Sequence, residues 1–230
     1  MLSIIIPCFN EEIIIADSIK KIDKWSINKS FEIEIIIVNN ASTDHTKKIL
    51  QEASEKYDIS VLNENKKGKG YAIKKGLSEV KNSRVLIMDA DLSTNLNAFD
   101  DDWIDKNELL ILGSRALGVE IGTPRLRKFS GKILNLFVRK MFNLNIRDTQ
   151  CGFKYISSDS LKNITEELSS GGFVYDLDLI LLALNKNIEI LQIPVEYTFN
   201  HNSSVSLIKD PIVMIRDLLK LRKIHKQIIY

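Results

Sequence analysis

Five short runs dense in aliphatic and β-branched residues punctuate the first half of the chain: Leu2 to Ile6, Glu32 to Val38, Ile59 to Leu62, Arg84 to Met88 and Leu109 to Leu112. They show little alternation of apolar and polar positions, as expected of strands in a parallel sheet covered on both faces. Between them lie segments of helical length, Glu11 to Lys24, Asp44 to Tyr57 and Lys69 to Val80. The resulting βαβαβαβ order predicts an open, mostly parallel α/β sheet with its ligand at the carboxyl ends of the strands. After Leu112 the pattern loosens through Gly113, Gly118, Gly122 and Pro124. It then predicts a helix over Phe129 to Met141, a short element at Phe153 to Ile156, helices over Ser157 to Leu168 and Asp176 to Asn185, a strand over Ile188 to Ile193 and a last helix over Asp210 to Lys226. No repeat or low-complexity linker interrupts the chain, so one domain is expected, in two halves, 1–112 and 113–230, that differ in pattern.

The composition changes this picture little. Of 230 residues 44% are hydrophobic and 27% charged, which excludes a disordered chain, and the net charge of +2 carries no message as a total. Its distribution does carry one. Arg125 through Arg147 holds seven Lys or Arg and no Asp or Glu, directly after an acidic stretch from Asp100 to Glu108. Cys8 and Cys151 are the two cysteines, too few for a disulfide framework or a zinc site, and a reducing, cytoplasmic setting fits them. Neither a signal peptide nor an apolar run of membrane-spanning length is expected.

The informative residues follow the strands. Asp89-Ala90-Asp91 comes directly after the fourth run. Two carboxylates at that spacing can hold Mg²⁺ or Mn²⁺, leaving positions for diphosphate oxygens, and the same tripeptide can merely cap a turn. Pro7-Cys8-Phe9-Asn10-Glu11-Glu12 closes the first run. Asn39-Asn40-Ala41-Ser42-Thr43-Asp44 closes the second and can cap the next helix. Asn65-Lys66-Lys67-Gly68-Lys69-Gly70-Tyr71-Ala72 is suited to bringing backbone N–H groups and a lysine to phosphates, although it is neither a Walker loop nor a dinucleotide fingerprint.

Taken in order, Pro-Cys-Phe-Asn-Glu, the Ser-Thr-Asp turn, Gly-Lys-Gly-Tyr-Ala, Met-Asp-Ala-Asp-Leu-Ser, Gly-Ser-Arg and Asp-Thr-Gln-Cys-Gly-Phe-Lys resemble the inverting glycosyltransferases of family 2 with the GT-A fold, most closely the dolichyl-phosphate glucose and mannose synthases. The resemblance spans nearly the whole chain. It implies transfer of a hexose from a UDP-glucose or GDP-mannose type donor to a polyprenyl phosphate. Pro7, Phe9, Asn10, Glu11, Asn39, Ser42, Lys69, Gly70, Asp89, Ala90 and Asp91 would bind the donor, with Asp89 and Asp91 on Mg²⁺ or Mn²⁺. Ser114, Arg115, Arg125, Arg127 and Ser130 would take the acceptor phosphate, and Asp91, Arg115, Asp176 and Asp178 would be catalytic. Two positions depart from the family pattern: Asn39 stands where relatives commonly carry an Asp, and Asp178 where they carry a Glu.

The acceptor decides whether a base is needed. A lipid monophosphate is largely ionised at neutral pH, whereas a hydroxyl would call on Asp176 or Asp178. Phe129, Ile133, Leu136, Phe137 and Met141 recur at helical spacing among Lys128, Lys132, Arg139 and Lys140, a pattern that suits either a membrane surface or an ordinary core-facing helix. The last helix shows a similar apolar face in Ile212, Ile215, Leu218 and Leu219. Transfer to a glycan hydroxyl and a silent nucleotide-sugar binding module stay open. A nucleic-acid partner is not expected, because the basic stretch is not laid out as a base-stacking platform and an acidic run adjoins it. His201, in a polar loop after the last strand, is either a donor-covering residue or simply exposed.

Overall fold

The computed structural model describes residues 1–172, 174–200 and 209–225, the side chains of 209–213 excepted; Phe173 and His201 lie outside them. The elements follow in chain order: β1 (Leu2–Cys8), α1 (Ile15–Ser26), β2 (Ile33–Asn40), α2 (Thr46–Ser54), β3 (Ser60–Glu64), α3 (Lys69–Leu77), β4 (Arg84–Ile87), β5 (Leu109–Ile121), α4 (Arg125–Met141), β6 (Lys154–Ser157), α5 (Leu161–Glu167), α6 (Tyr175–Asn185), β7 (Glu189–Thr198) and α7 (Lys209–Ile224). Two short 3₁₀ turns follow β4, Leu96–Ala98 and, within the acidic stretch, Asp101–Asp105. Trp103 of the second turn is buried among Phe99, Phe153 and Tyr155, and the tyrosine hydroxyl donates to the Trp103 carbonyl at 2.9 Å.

The strands form one seven-stranded sheet in the order β3-β2-β1-β4-β6-β5-β7. All neighbours run parallel except β6, which is antiparallel to both β4 and β5. Burial of both faces explains the missing alternation: Ile4, Ile6, Ile35 and Ile37 pack with α1 and α2 on one side, while Ile5, Val85 and Ile87 meet α3, α5 and α6 on the other. The strand after Leu112 is longer than its apolar core, because β5 continues to Ile121 along β7 through an irregularity between Ser114 and Val119. Gly118 lies there with its α-carbon against the Val195 backbone, where a Cβ would come within 2.0 Å of the carbonyl oxygen.

α4 begins four residues earlier than the hydrophobic spacing indicated, and only Val138 on it is buried. Leu134 and Met141 join Val138 against α6 and α7. Leu126, Phe129, Ile133, Leu136 and Phe137 instead form an exposed stripe, with Phe129 63% exposed. In α7 the buried face consists of Met214, Leu218 and Leu221, whereas Ile215 and Leu219 of the expected apolar face are exposed; the side chain of Ile212 lies outside the described residues.

The third loop is fixed by backbone contact. A Cβ on Gly70 would fall 2.3 Å from the Ser170 carbonyl oxygen and 2.8 Å from the Tyr175 Cβ, so the loop before α6 lies directly on the start of α3. Gly70→Ala is therefore expected to cost at least about 2 kcal/mol through forced backbone displacement, read as a lower midpoint in urea unfolding.

Candidate active site

The crevice opens at the carboxyl ends of β1, β2 and β4, and the first two loops brace each other. Asn10 takes a left-handed conformation (φ 56°), which asparagine tolerates, and turns the chain after β1. Its Oδ1 accepts from the Thr43 N–H at 2.8 Å, and its own N–H donates to Ser42 Oγ at 3.1 Å. Asp44 accepts from the N–H of Thr46 at the start of α2 and from that of Glu12, at 3.0 and 3.2 Å. Ser42 and Asp44 thus hold the β1 loop in shape as well as facing it. Pro7 and Phe9 are half-buried at the β1 end, with the Lys67 ammonium 4.2 Å from the Phe9 ring centroid.

Asn39 is buried; its Nδ2 donates to Asn63 Oδ1 on β3 at 3.0 Å, and its own Oδ1 has no hydrogen-bond partner. Its neighbour Asn40 is a site residue that the sequence reading did not single out. The Asn40 amide donates to the Lys66 carbonyl at 2.7 Å and its carbonyl accepts from the Gly68 N–H at 2.8 Å, clamping the glycine-lysine loop to β2. Gly68 has φ +146° and would place a Cβ 2.2 Å from the Gly171 carbonyl oxygen, so no other residue fits there. Lys69 and Gly70 then open α3 with their backbone N–H groups at a helix start, where a phosphate is favoured.

Asp89 and Asp91 leave β4 on either side of Ala90, which packs into the core. Asp91 Oδ1 accepts from the Ser93 N–H at 2.9 Å. Asp89 Oδ1 is ion-paired with the Lys69 ammonium, and its carboxylate lies on Gly152, where a Cβ would overlap it. Burial opposes ionisation of Asp89, but Lys69, then Lys154 and Arg115, outweigh it and hold the carboxyl below its usual range. Glu11 experiences the reverse: burial first, then the charges of Asp91, Asp89 and Asp44, push its pKa up to about 7. A divalent cation at Asp89 and Asp91 fits this excess of negative charge. Among the described residues no group of three His, Cys, Asp or Glu could enclose an ion, so such a cation would draw further oxygens from a ligand, as small hard cations do.

Behind Asp89, Lys154 is 1% exposed and paired with Asp176 on the first turn of α6. Arg115, on β5, is held by Asp148 through three bonds: Nε to Oδ2 at 2.7 Å, Nη2 to Oδ1 at 3.0 Å and the backbone N–H to Oδ2 at 3.0 Å. The Arg115 guanidinium lies 5.4 Å from the Tyr197 ring and that of Arg127 4.9 Å from the Phe199 ring, two residues further on. Asp148 and Lys154 were visible only as letters of a motif; their roles as partners of Arg115 and Asp176 come from contacts across the sheet.

Four expected site residues stand elsewhere. Asp178 does not face the crevice: two positions along a helix rotate a side chain by about 200°, and its carboxylate is wholly buried. Its Oδ2 accepts from the Ser169 and Ser170 N–H groups at 2.7 and 2.8 Å, and its Oδ1 meets His225 Nε2 at 2.7 Å, so both oxygens are engaged away from the crevice. Ser114 is fully buried and cannot touch an acceptor from that position. Ser130 is exposed on α4 with its hydroxyl returned to the Arg127 carbonyl, and Arg125 is exposed at the start of the same helix. Asp89, Lys69, Lys154, Asp176 and Arg115, by contrast, gather in one place, as the mutual influence of their charges on Asp89 and Lys69 records.

With this geometry in hand, comparison with known proteins is informative. Residues 3–165 match the model of the family described as glycosyl transferase family 2. The chain is 30% identical over 240 residues to the dolichyl-phosphate beta-glucosyltransferase of Dictyostelium discoideum, covering 96% of this chain and 73% of that protein. It is 29% identical to that of Saccharomyces cerevisiae, with 100% and 76% covered, and 27% identical to that of Homo sapiens, with 96% and 74% covered. Glucosyl-3-phosphoglycerate synthase of Mycobacterium tuberculosis, solved with Mn²⁺, UDP-glucose and glycerol 3-phosphate, has the same GT-A fold at a TM-score of 0.68 and 15% identity, over 98% of this chain and 79% of that one.

Glu11 supplies a pH test. A carboxyl raised from 4.5 to about 7 by folding contributes stability that is present below 4.5 and lost as the pH rises through 7. In metal-free buffer Glu11→Gln should change the midpoint temperature little at pH 5 and raise it by about 2–4 °C at pH 8, a range that allows for solvent screening of a partly exposed group, as followed by circular dichroism.

Proposed function

The chain belongs to glycosyl transferase family 2 and is a glycosyltransferase, and from that premise we propose that it transfers glucose from UDP-glucose to a dolichyl-type polyprenyl phosphate with inversion at the sugar carbon. The observation that carries this reading is the placing of two differently built cation sites on one crevice. On one side Lys69 and the start of α3 face Asp89; on the other Arg115 is fixed by Asp148. The first suits a donor diphosphate, the second an acceptor phosphate. The names of the relatives support glucose and dolichyl phosphate, and the UDP-glucose and Mn²⁺ bound in the structural neighbour support the donor and the metal.

In this reading the β1 and β2 loops border the nucleotide, and Lys69 with the α3 amides binds the diphosphate. Asp89 and Asp91 would hold Mg²⁺ or Mn²⁺, which when bound supplies Lewis-acid stabilisation of the departing diphosphate. Arg115 orients the acceptor: Asp148 takes Nε and one edge of Nη2, which leaves further guanidinium N–H groups for a phosphate. An ionised phosphate oxygen attacks without surrendering a proton, so no general base is required. That suits Asp176, whose carboxylate is engaged by Lys154.

The exposed stripe of α4 fits a lipid acceptor. Leu126, Phe129, Ile133 and Phe137 lie beside a basic edge of Arg125, Lys128 and Lys132, and Arg127 on the same helix stacks on Phe199. No helix among the described residues is long and apolar enough to cross a membrane. A helix of this kind rests in the interface of an anionic bilayer with its apolar side inserted.

Radiolabelled UDP-glucose and polyprenyl phosphate should give a labelled lipid in the presence of Mg²⁺ or Mn²⁺. Asp91→Asn should reduce the rate at least about 100-fold and Arg115→Lys about 10-fold or more, through the lost fork to the acceptor. GDP-mannose used in preference would change the donor, and label passing only to a glycan hydroxyl would replace the acceptor. Co-sedimentation with vesicles containing anionic lipid is expected for the unaltered chain. The double substitution Phe129→Asp and Ile133→Asp should reduce it at least about 10-fold without changing the circular dichroism spectrum, since neither side chain is buried.

A further inference from the structure

Three cations face the crevice, and they differ in freedom. Lys154 is 1% exposed and closed in by Asp176 and the Cys151 carbonyl. Arg115 is locked in a planar fork by Asp148. Arg115 is 30% exposed but fixed, whereas Lys69 sits on a flexible four-carbon stem, its side chain 22% exposed and that of its partner Asp89 37% exposed. The ammonium occupies Asp89 Oδ1, and the carboxylate rests against Gly152. A divalent cation that takes Asp89 as a ligand must therefore compete with a positive charge already seated there, since two cations at contact distance from one carboxylate repel strongly.

We propose that Lys69 is an exchangeable counter-ion: it holds Asp89 while the crevice is empty, yields that carboxylate to a divalent cation when the donor enters, and transfers its ammonium to the donor diphosphate. This rests on the donor reading above. No bond is made or broken; one ion pair is exchanged for two, and the carboxylate stays neutralised throughout. The position of Lys69 makes the transfer short, because its stem leaves the first turn of α3, the same helix start whose amides face the phosphates. The exchange makes metal and donor bind cooperatively. Metal alone has to displace the lysine with no anion to receive it, whereas metal with nucleoside diphosphate provides both the replacement and the destination.

Metal affinity read without any transfer reaction tests this. Free Mn²⁺ is followed by electron paramagnetic resonance during titration of the protein with and without UDP, in the unaltered chain, Lys69→Met and Lys69→Arg. Lys69→Met should bind Mn²⁺ alone at least about five-fold more tightly and gain less from UDP, while Lys69→Arg, which keeps the charge, should stay near the unaltered chain. The second measurement is acetylation of Lys69, read by mass spectrometry in the unaltered protein. Saturating Mg²⁺ alone should speed it at least about three-fold, and UDP added with Mg²⁺ should slow it again, as the released amine finds the diphosphate. Unchanged or weaker Mn²⁺ binding by Lys69→Met, or an acetylation rate indifferent to Mg²⁺, overturns the exchange and leaves the donor site standing. An unaltered chain that takes up no Mn²⁺ even with UDP overturns the donor reading and the exchange together.

Discussion

The carboxyl edge of the sheet depends on drawing three cations out of bulk water, Lys154 fully and Lys69 and Arg115 in part, without leaving any of them alone. An unpaired charge taken out of water costs several kcal/mol even after relaxation, so each is seated with an anion. Asp89, Asp176 and Asp148 supply them, one apiece, from distant stretches of chain. The pairs therefore tie α3 to the end of β4, β6 to α6, and β5 to the loop before β6. What results is a crevice in which Lys154 and Arg115 are aimed and held. Fixed charges of this kind stabilise an anion without having to reorganise when it arrives, whereas Lys69 keeps a flexible stem.

Holding the pairs requires support from outside the crevice, and the support is mostly backbone on backbone. Gly68 and Gly70 let the start of α3 touch Ser170 and Gly171, and Gly171 lies in turn under the Tyr71 ring, whose residue donates its N–H to the Gly171 carbonyl at 3.2 Å. That second loop is anchored from below by Asp178, which gathers the Ser169 and Ser170 amides and is met by His225 after α7. Burial works against the Asp178 charge, but His225 and the amides hold its carboxyl below the usual range. The last helix is thus connected to Lys69 by a continuous set of contacts: His225, Asp178, the 169–171 loop, the α3 start. The shorter Asp in place of Glu at this position is matched by a histidine that reaches toward it.

Much of this was legible in the chain and some was not, for identifiable reasons. Strands covered on both faces announce themselves as unbroken aliphatic runs, so β1 to β4 and the apolar part of β5 could be read directly, and the loops after β1, β2 and β4 followed from where those runs stop. The antiparallel β6 was less visible, because Lys154-Tyr155-Ile156-Ser157 is four residues long and opens on a lysine; only its tertiary partner Asp176 makes that lysine tolerable in the sheet. β5 beyond Ser114 alternates exposed and half-buried positions, which resembles a loop until β7 is laid beside it. Asp178 misled because spacing along a helix was not converted into direction: Asp176 and Asp178 stand two residues apart on α6 and point to opposite sides of it. Asn40 and Asp148 were unreadable as functional, since a carboxamide clamp and an arginine fork exist only once β2 meets the third loop and β5 meets the loop before β6.

The distribution of free carboxylates bears on the acceptor. A hydroxyl nucleophile needs a carboxylate or imidazole within hydrogen-bond reach to take its proton. Of the carboxylates near Arg115, Asp148 is taken by the guanidinium, Asp176 by Lys154 and Asp89 by Lys69, while Asp91 accepts from the Ser93 N–H through one oxygen; Asp178 faces away, held by two loop amides and His225. Glu11 is pushed up toward neutral pH, and its charged neighbours are Asp91, Asp89 and Asp44 rather than Arg115. A crevice that commits most of its anions to cations suits the proposed acceptor, which is already charged, better than one that must first lose a proton. The two guanidiniums stacked on Tyr197 and Phe199 extend the same logic toward α4, where the basic edge gives way to exposed phenylalanine and isoleucine. Charge near the reaction and apolar surface beyond it is the order in which a lipid phosphate presents itself.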